Sequence, residues 1–379
     1  SRTTCARAAA PEADADAEAW RGADYRNILN FQKDFPKTQV INLDQNYRST
    51  KNILEIAKNL ISQNKSHPIL DLWTENPDGV PTVLYQAKNE IEEAEFIVRT
   101  IRNLATKQNY PLSSFAVLYR TNAQSRVLEE TFLREGLPYR LVGGTRFYDR
   151  REIRDMIAYL RTIDNPKDSL SFKRIVNTPP RGIGPKALSE PNNPKLVSFK
   201  QELDSLRLKS ESLTTIDIID LVLSYSRYLE YLDNNTEESL SRIENVKELR
   251  SVAAEFPSLG DFLENVSLVE ENFLPNQDRT SQNQEAVTLM TLHSAKGLEF
   301  PIVFMIGLEE GLFPHSQSLT ESSQVEEERR LCYVGITRTR EQLYMTYTQS
   351  RLYFGSRTEG VISRFVLEIP KELLIPIRF

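Results

Sequence analysis

Phe115-Ala-Val-Leu-Tyr119 is a run of five residues with no charged side chain and no alternation of polar with apolar positions. A strand of this kind cannot leave one face in water; it must be covered on both sides. Further strand signals lie at Val80–Gln86, Tyr139–Val142, Val287–Thr291, Ile302–Ile306 and Gln342–Tyr347. Helical patterns separate the earlier ones: Lys51–Ile61, Glu90–Ala105, Ser125–Glu135 and Ile153–Ile163. In the second of these, Ile91, Ala94, Ile97, Val98, Ile101 and Leu104 share one face, as a core-facing helix requires. Strand alternating with helix predicts a parallel sheet covered by helices, so the fold class is α/β.

The texture changes after Asn165-Pro166. Pro179-Pro-Arg-Gly-Ile-Gly-Pro185 and Glu190-Pro-Asn-Asn-Pro194 are loop-forming clusters, and the signals from there to residue 284 are mostly helical. Ser258-Leu-Gly-Asp261 reads as a capping box, and Ile243, Val246, Leu249, Ala253 and Phe256 form a core stripe at helical spacing. The expected organisation is one α/β domain, residues 20–165 and 285–379, interrupted by an all-α insert at 166–284. Asn276–Gln284 is polar and is expected to be mobile. Residues 1–19 are Ala-rich, show no sustained apolar periodicity, and read as a poorly ordered or non-native leader.

With 379 residues, 40% of them hydrophobic, the chain can bury a large core. It has neither an apolar run of membrane-spanning length nor the apolar segment of a secretory signal, so the expected location is cytoplasmic. Cys5 and Cys332 are far apart and sit in no zinc-spaced cluster, which points to neither a disulfide framework nor a metal site. A net charge of −6 excludes a protein that grips nucleic acid with its whole surface. It leaves room for a local groove: residues 116–155 carry Arg120, Arg126, Arg134, Arg140, Arg146, Arg150, Arg151 and Arg154 against six acidic residues.

Three motifs carry candidate chemistry. Leu43-Asp-Gln-Asn-Tyr-Arg-Ser-Thr50 precedes a helix and can expose a flat ring and a guanidinium fork at a turn. Val287-Thr-Leu-Met-Thr-Leu-His-Ser-Ala-Lys-Gly-Leu-Glu-Phe300 links two strands. Its Lys296-Gly297 is not a phosphate-cradling loop, because the GxxxxGK[ST] spacing is absent. Glu326-Glu-Glu-Arg-Arg-Leu-Cys-Tyr-Val-Gly-Ile-Thr-Arg-Thr-Arg340 closes a charged helix ahead of a strand. Its Glu326–Arg330 run reads as a solvated, salt-bridged helix face.

Together these motifs resemble the C-terminal half of UvrD/PcrA/Rep-type superfamily 1A DNA helicases, over residues 20 to about 375. The resemblance implies a RecA-like second motor domain of P-loop NTPase type, with a shortened helical insert, acting in ATP-dependent 3′ to 5′ unwinding with ATP and Mg²⁺. It implies that Tyr47 stacks on adenine, that Arg48 and the finger arginine Arg338 reach the γ-phosphate, and that Glu299, with Gly297 beside it, contacts the nucleotide sugar. An arginine finger contributes about 10³- to 10⁵-fold in rate. It also implies single-stranded DNA as partner, held by Trp20 and Phe354 through stacking and by Arg21, Arg120, Asn122, Thr291 and His293 along the backbone. Thr178–Gly184 resembles the start of a duplex-contacting element that meets a DNA junction, here curtailed by Pro185 and Pro191–Pro194. His67 and His315 read as satisfied loop histidines.

Three departures stand out. The chain has no GxxxxGK[ST] and no Asp-Glu pair ending a buried strand, which in such helicases belong to an N-terminal domain. Asp14-Ala-Asp-Ala-Glu-Ala19 stands where the family reads Gly-Asp-x-Asp-Gln-Ser-Ile-Tyr, and Thr339 stands where it usually has alanine. The reading is therefore a C-terminal motor half, inactive by itself and dependent on a partner N-terminal domain. The alternative is a non-catalytic nucleic-acid-binding or docking module that keeps the helicase fold.

Overall fold

A computed structural model describes residues 34–35, 43–65, 72–272 and 285–378. The expectations placed on the leader, Cys5, Trp20, Arg21, His67 and Asn276–Gln284 lie outside those residues.

The centre is a seven-stranded sheet in the order β3-β4-β2-β5-β6-β1-β9, with every pairing parallel. The strands are β1 (Thr82–Ala87), β2 (Phe115–Tyr119), β3 (Tyr139–Val142), β4 (Val287–Thr291), β5 (Phe300–Met305), β6 (Thr339–Thr348) and β9 (Leu374–Arg378). A hairpin of β7 (Ser350–Tyr353) and β8 (Ser356–Glu359) follows β6. Strand β2 sits mid-sheet with all five residues buried, as its composition demands.

Both faces of the sheet are covered, and strand periodicity decides which residue goes where. Ala116 and Leu118 of β2 face the cluster built by helix α1 (Lys51–Ile61) and by a later helix at Ser322–Thr337. Phe115, Val117 and Tyr119 face the opposite cluster, built by α2 (Glu90–Gln108) and α3 (Ser125–Arg134). In α1, Ile53, Ile56 and Leu60 are fully buried, each contributing about 1.5–3 kcal/mol. Asn89 caps α2 by accepting from the amides of Ile91 and Glu92.

A third cluster is entirely helical. It begins at Phe147 and runs to Val266 through α4 (Arg151–Asp164), α5 (Ser169–Ile175), α6 (Pro185–Leu188), α7 (Pro194–Ser210), α8 (Thr215–Ser226), α9 (Tyr228–Leu232), α10 (Glu237–Ala253) and α11 (Leu259–Asn272). Helix α4, expected to cover the sheet, instead spends its apolar face here: Ile153, Met156, Ile157 and Leu160 all belong to the helical cluster. Periodicity shows that a face is buried, not against what. The stripe on α10 is core as expected, with Val246, Leu249 and Ala253 buried. Ser258 Oγ accepts from the Asp261 amide at the start of α11.

Helix α12 (Ser322–Thr337) corrects the reading of its charged run. Glu328, Arg329 and Arg330 are 5%, 7% and 5% exposed, because α12 packs against both α1 and the sheet. Each buried charge has a partner: Glu328 with Arg120, Arg329 with Glu368 and Asn64, Arg330 with Glu327. Helix α13 (Arg364–Leu367) completes that face through Phe365.

No helix among the described residues is long and apolar enough to cross a membrane.

Candidate nucleotide and nucleic-acid sites

The candidate residues divide between the two ends of the parallel strands. Glu299 and Arg338 immediately precede β5 and β6, which pair Phe300 with Thr339, so both lie at the N-terminal edge. Arg120 and Asn122 follow β2, and Thr291 and His293 end or follow β4, so these four lie at the C-terminal edge, where open parallel sheets bind ligands. The nine residues from Thr291 to Glu299 run from one edge to the other and join the two groups.

At the N-terminal edge, the turn before α1 is shaped by Asn46, whose Oδ1 accepts from the amides of Arg48 and Ser49 at 2.9 Å each. Ser49 Oγ donates to the Thr339 carbonyl at 2.7 Å, and the Thr50 amide donates to the Arg340 carbonyl at 3.1 Å. The turn is thus tied to the start of β6, and Tyr47 is left 78% exposed, touching Gln45 Oε1 through its hydroxyl at 2.7 Å. An aromatic ring in water at a rigid turn is available for stacking.

Arg48 Nε donates to Glu299 Oε2 at 2.5 Å and Arg48 Nη1 to the Thr337 carbonyl at 3.2 Å. Arg340 Nε stands 3.8 Å from Glu299 Oε1. The Glu299 carboxyl is held below the usual carboxylate range by the Arg48 hydrogen bond, then by the charges of Arg48, Arg340 and Arg338. Three guanidinium groups and one carboxylate therefore converge beside an exposed ring. Arg340 closed the third motif in the sequence but was given no role there. Gly297, two residues before Glu299, adopts φ +79°, which explains glycine at that turn.

Arg338 is the most enclosed of the group, at 3% exposed. It is the C-cap of α12, and its guanidinium donates to the Val334 carbonyl (3.1 Å), the Leu298 carbonyl (3.4 Å) and Thr337 Oγ1 (3.2 Å). A cation there satisfies helix-end carbonyls and suits the helix dipole. Gly335 lets α12 pack closely on Leu292 and Met305: a Cβ would come within 2.5 Å of Leu292 Cδ2 and 2.9 Å of Met305 Cε.

At the C-terminal edge the candidate groups already have protein partners. Arg120 grips Glu328 with Nε at 3.0 Å from both carboxylate oxygens and Nη2 at 2.7 Å from Oε1. Asn122 Nδ2 donates to Ser241 Oγ at 3.2 Å, across to α10. Thr291 Oγ1 accepts from the Ser294 amide at 3.2 Å and so shapes the turn after β4. His293 is half-buried, and desolvation followed by the nearby Arg120 charge lowers its pKa to about 4, so it is a neutral ring at neutral pH. His315, as expected, is satisfied, with Nε2 2.8 Å from Glu244 Oε1.

The arginine-rich stretch does not form the open basic groove the sequence allowed. Arg126 is buried between Glu130 and Glu248, Arg150 donates to Asn245 and Ser125, and Arg134 and Arg154 pair with Glu95 and Asp149. Phe354 tops the β7–β8 hairpin at φ +54°, stacked 3.8 Å from the Tyr353 ring. Among the described residues no three His, Cys, Asp or Glu side chains converge as a metal-ligand set.

Comparison with known proteins follows this geometry. The chain is 43% identical over 397 residues to the ATP-dependent DNA helicase PcrA of Bacillus subtilis, and 42% identical over 400 residues to that of Staphylococcus aureus strain Mu50. Each match takes in 96% of this chain and 54% of the relative, so the chain spans about half the length of the relatives it matches. A solved C-terminal domain of a possible DNA helicase from Lactobacillus superposes only loosely, at a TM-score of 0.36 and 11% identity, over 87% of this chain and 98% of that one. The UvrD-like helicase C-terminal domain model matches residues 41–350, which span both groups of candidate residues and the helical cluster between them, and the chain belongs to that family.

Proposed function

We propose that this chain is the second motor unit of an ATP-dependent DNA helicase, forming one wall of a nucleotide site and part of a single-strand groove. The observation that carries the reading is the convergence of Arg48, Arg338 and Arg340 on Glu299 beside the exposed Tyr47 ring. A planar ring, guanidinium forks and one hydrogen-bonding carboxylate are the groups that a purine base, phosphate oxygens and a ribose call for.

In this reading Tyr47 stacks on the base, Glu299 with Gly297 meets the sugar, and Arg48 and Arg338 stabilise charge on the terminal phosphate. Bound ATP supplies the phosphoanhydride energy. Glu299 does two jobs: it orients Arg48, and it prevents three like charges from repelling one another before phosphate arrives. Arg338 leaves its helix-end carbonyls when it reaches across a cleft, and those carbonyls hold it in place until then. Mg²⁺ is assigned no ligand here, since Glu299, the only carboxylate of the cluster among the described residues, is engaged by arginines.

On the opposite edge of the sheet, Arg120, Asn122, Thr291, His293 and Phe354 are assigned to single-stranded DNA. His293, being neutral, acts there as a hydrogen-bonding group and not as a cation. Because the Thr291–Glu299 segment ends in both sites, a shift of Glu299 on nucleotide binding moves Thr291 and His293. Unwinding 3′ to 5′ belongs to the assembled helicase and requires a second wall bearing GxxxxGK[ST], a motif that residues 1–379 do not contain.

The test is ATP hydrolysis by the purified 379-residue chain, alone and with the N-terminal part of a PcrA relative added. The chain alone is expected to show negligible turnover and the mixture to gain it. Robust Mg²⁺-dependent hydrolysis by the chain alone refutes the one-wall reading.

A further inference from the structure

Helix α10 presents a polar face toward the sheet and an apolar one, Val246 and Leu249, toward the helical cluster. Its polar face reaches the candidate single-strand residues at both ends. Ser241 accepts from Asn122 at 3.2 Å; two to three turns later Arg250 Nη1 donates to the Phe354 carbonyl at 3.0 Å, and the Gly355 amide donates to Ser251 Oγ at 3.1 Å. The left-handed backbone at Phe354 is costly for an aromatic residue, and these contacts from α10 offset it. The stacking ring on the hairpin is therefore placed by the insert.

One charge on this helix stands apart. Arg250 pairs with Asp220, and Arg120 and Arg126 pair with carboxylates, whereas the Lys247 ammonium makes no ion pair among the described residues. It rests over the Phe354 ring, 5.2 Å from the centroid. A cation over a half-exposed ring is held more weakly than a nucleobase stacked on such a ring, so a base displaces the ammonium and not the reverse. The displaced ammonium, on a flexible stem, then lies beside the backbone of the strand that displaced it.

We infer that Lys247 is a phosphate contact for single-stranded nucleic acid, contributed by the helical insert and exchanged from the Phe354 ring when a base stacks there. The inference rests on the single-strand reading above and adds a residue from the insert to a groove otherwise built from the sheet's C-terminal edge.

The test is binding of a fluorescent oligothymidylate to the full 379-residue chain across a salt series. In Lys247→Gln the slope of log affinity against log salt is expected to become shallower by about 0.7, the share of one phosphate contact on a single strand, with binding about three- to tenfold weaker at 0.1 M salt. Lys247→Arg is expected to keep the slope, since it keeps the charge. A Lys247→Gln chain that folds as the parent and retains its slope overturns the Lys247 assignment alone. No binding by the unsubstituted chain overturns the single-strand reading, and this inference with it.

Discussion

Replacing Glu328 with glutamine tests how the C-terminal edge of the sheet is held together. Glu328 accepts three hydrogen bonds from Arg120 and one from the His315 amide at 3.0 Å, with side-chain exposures of 20% for Arg120 and 6% for Glu328. Removing one partner of a buried ion pair costs about 3–5 kcal/mol, while an amide keeps one acceptor oxygen, so Glu328→Gln is expected to destabilise by about 2–4 kcal/mol at pH 7. The pH dependence has a definite sign. Burial raises the Glu328 pKa, but Arg120 outweighs it and the folded-state value lies below normal. A carboxylate with a depressed pKa contributes stability that is present above its unfolded value of about 4.3 and is lost as pH falls through the folded value. The gap between the parent chain and Glu328→Gln should therefore be full at pH 6–7 and narrow below about pH 4. Urea unfolding followed by tryptophan fluorescence and circular dichroism at pH 7, 5 and about 3 measures it. A gap under about 1 kcal/mol at pH 7, or one that does not shrink on acidification, refutes the argument that this pair is a buried ionic clamp.

Three other expectations follow from single residues. Thr339 is fully buried and its hydroxyl has no hydrogen-bond partner among the described residues, so Thr339→Val should raise stability by about 1–2 kcal/mol; a lower unfolding midpoint would show that the hydroxyl is satisfied. With the His293 pKa near 4 when folded and about 6.5 when unfolded, the chain should lose stability as pH drops from about 6.5 toward 4; imidazole resonances that titrate near 6.5 in the folded chain would contradict its desolvation as the neutral form. Tyr47→Ala should leave the urea midpoint within about 0.5 kcal/mol, since the ring is exposed; a larger loss would make Tyr47 a packing residue and not a stacking platform.

The regular elements were legible because they depend on local pattern. Phe115–Tyr119, Tyr139–Val142, Val287–Thr291 and Lys51–Ile61 have in the structure the bounds their composition indicates. What periodicity could not supply was the partner of each buried face. Ile153–Ile163 has the same amphipathic signal whether it covers the sheet or joins the helical cluster, and it does the latter. The charged run before Arg330 misled for a related reason. Its neutralising partners, Arg120 and Glu368, lie 208 and 39 residues away, so local charge pattern could suggest only a solvated face. The β7–β8 hairpin and strand β9 went unseen: β8 is exposed throughout, and β9 is a short edge strand with Pro376 in it.

The site was legible as residue types and not as states. The resemblance carried by the three motifs brought Tyr47, Arg48, Glu299 and Arg338 into view, but not that Arg338 folds onto its own helix end or that Arg340 shares Glu299. Nor could spacing show that Arg120 and Asn122 already hold protein partners. The partners of Arg120 and Asn122 lie 208 and 119 residues away, which no local window contains.

The central claim is that Arg48 and Arg338 act on nucleotide from one wall of a cleft. Its most direct test is a chimaera in which the N-terminal part of Bacillus subtilis PcrA precedes residues 41–379 of this chain, assayed for ATP hydrolysis with and without single-stranded DNA. The account predicts DNA-stimulated hydrolysis that falls by about 10³-fold or more in Arg338→Ala, with a comparably severe loss in Arg48→Ala. Hydrolysis that persists unchanged in both variants would contradict it.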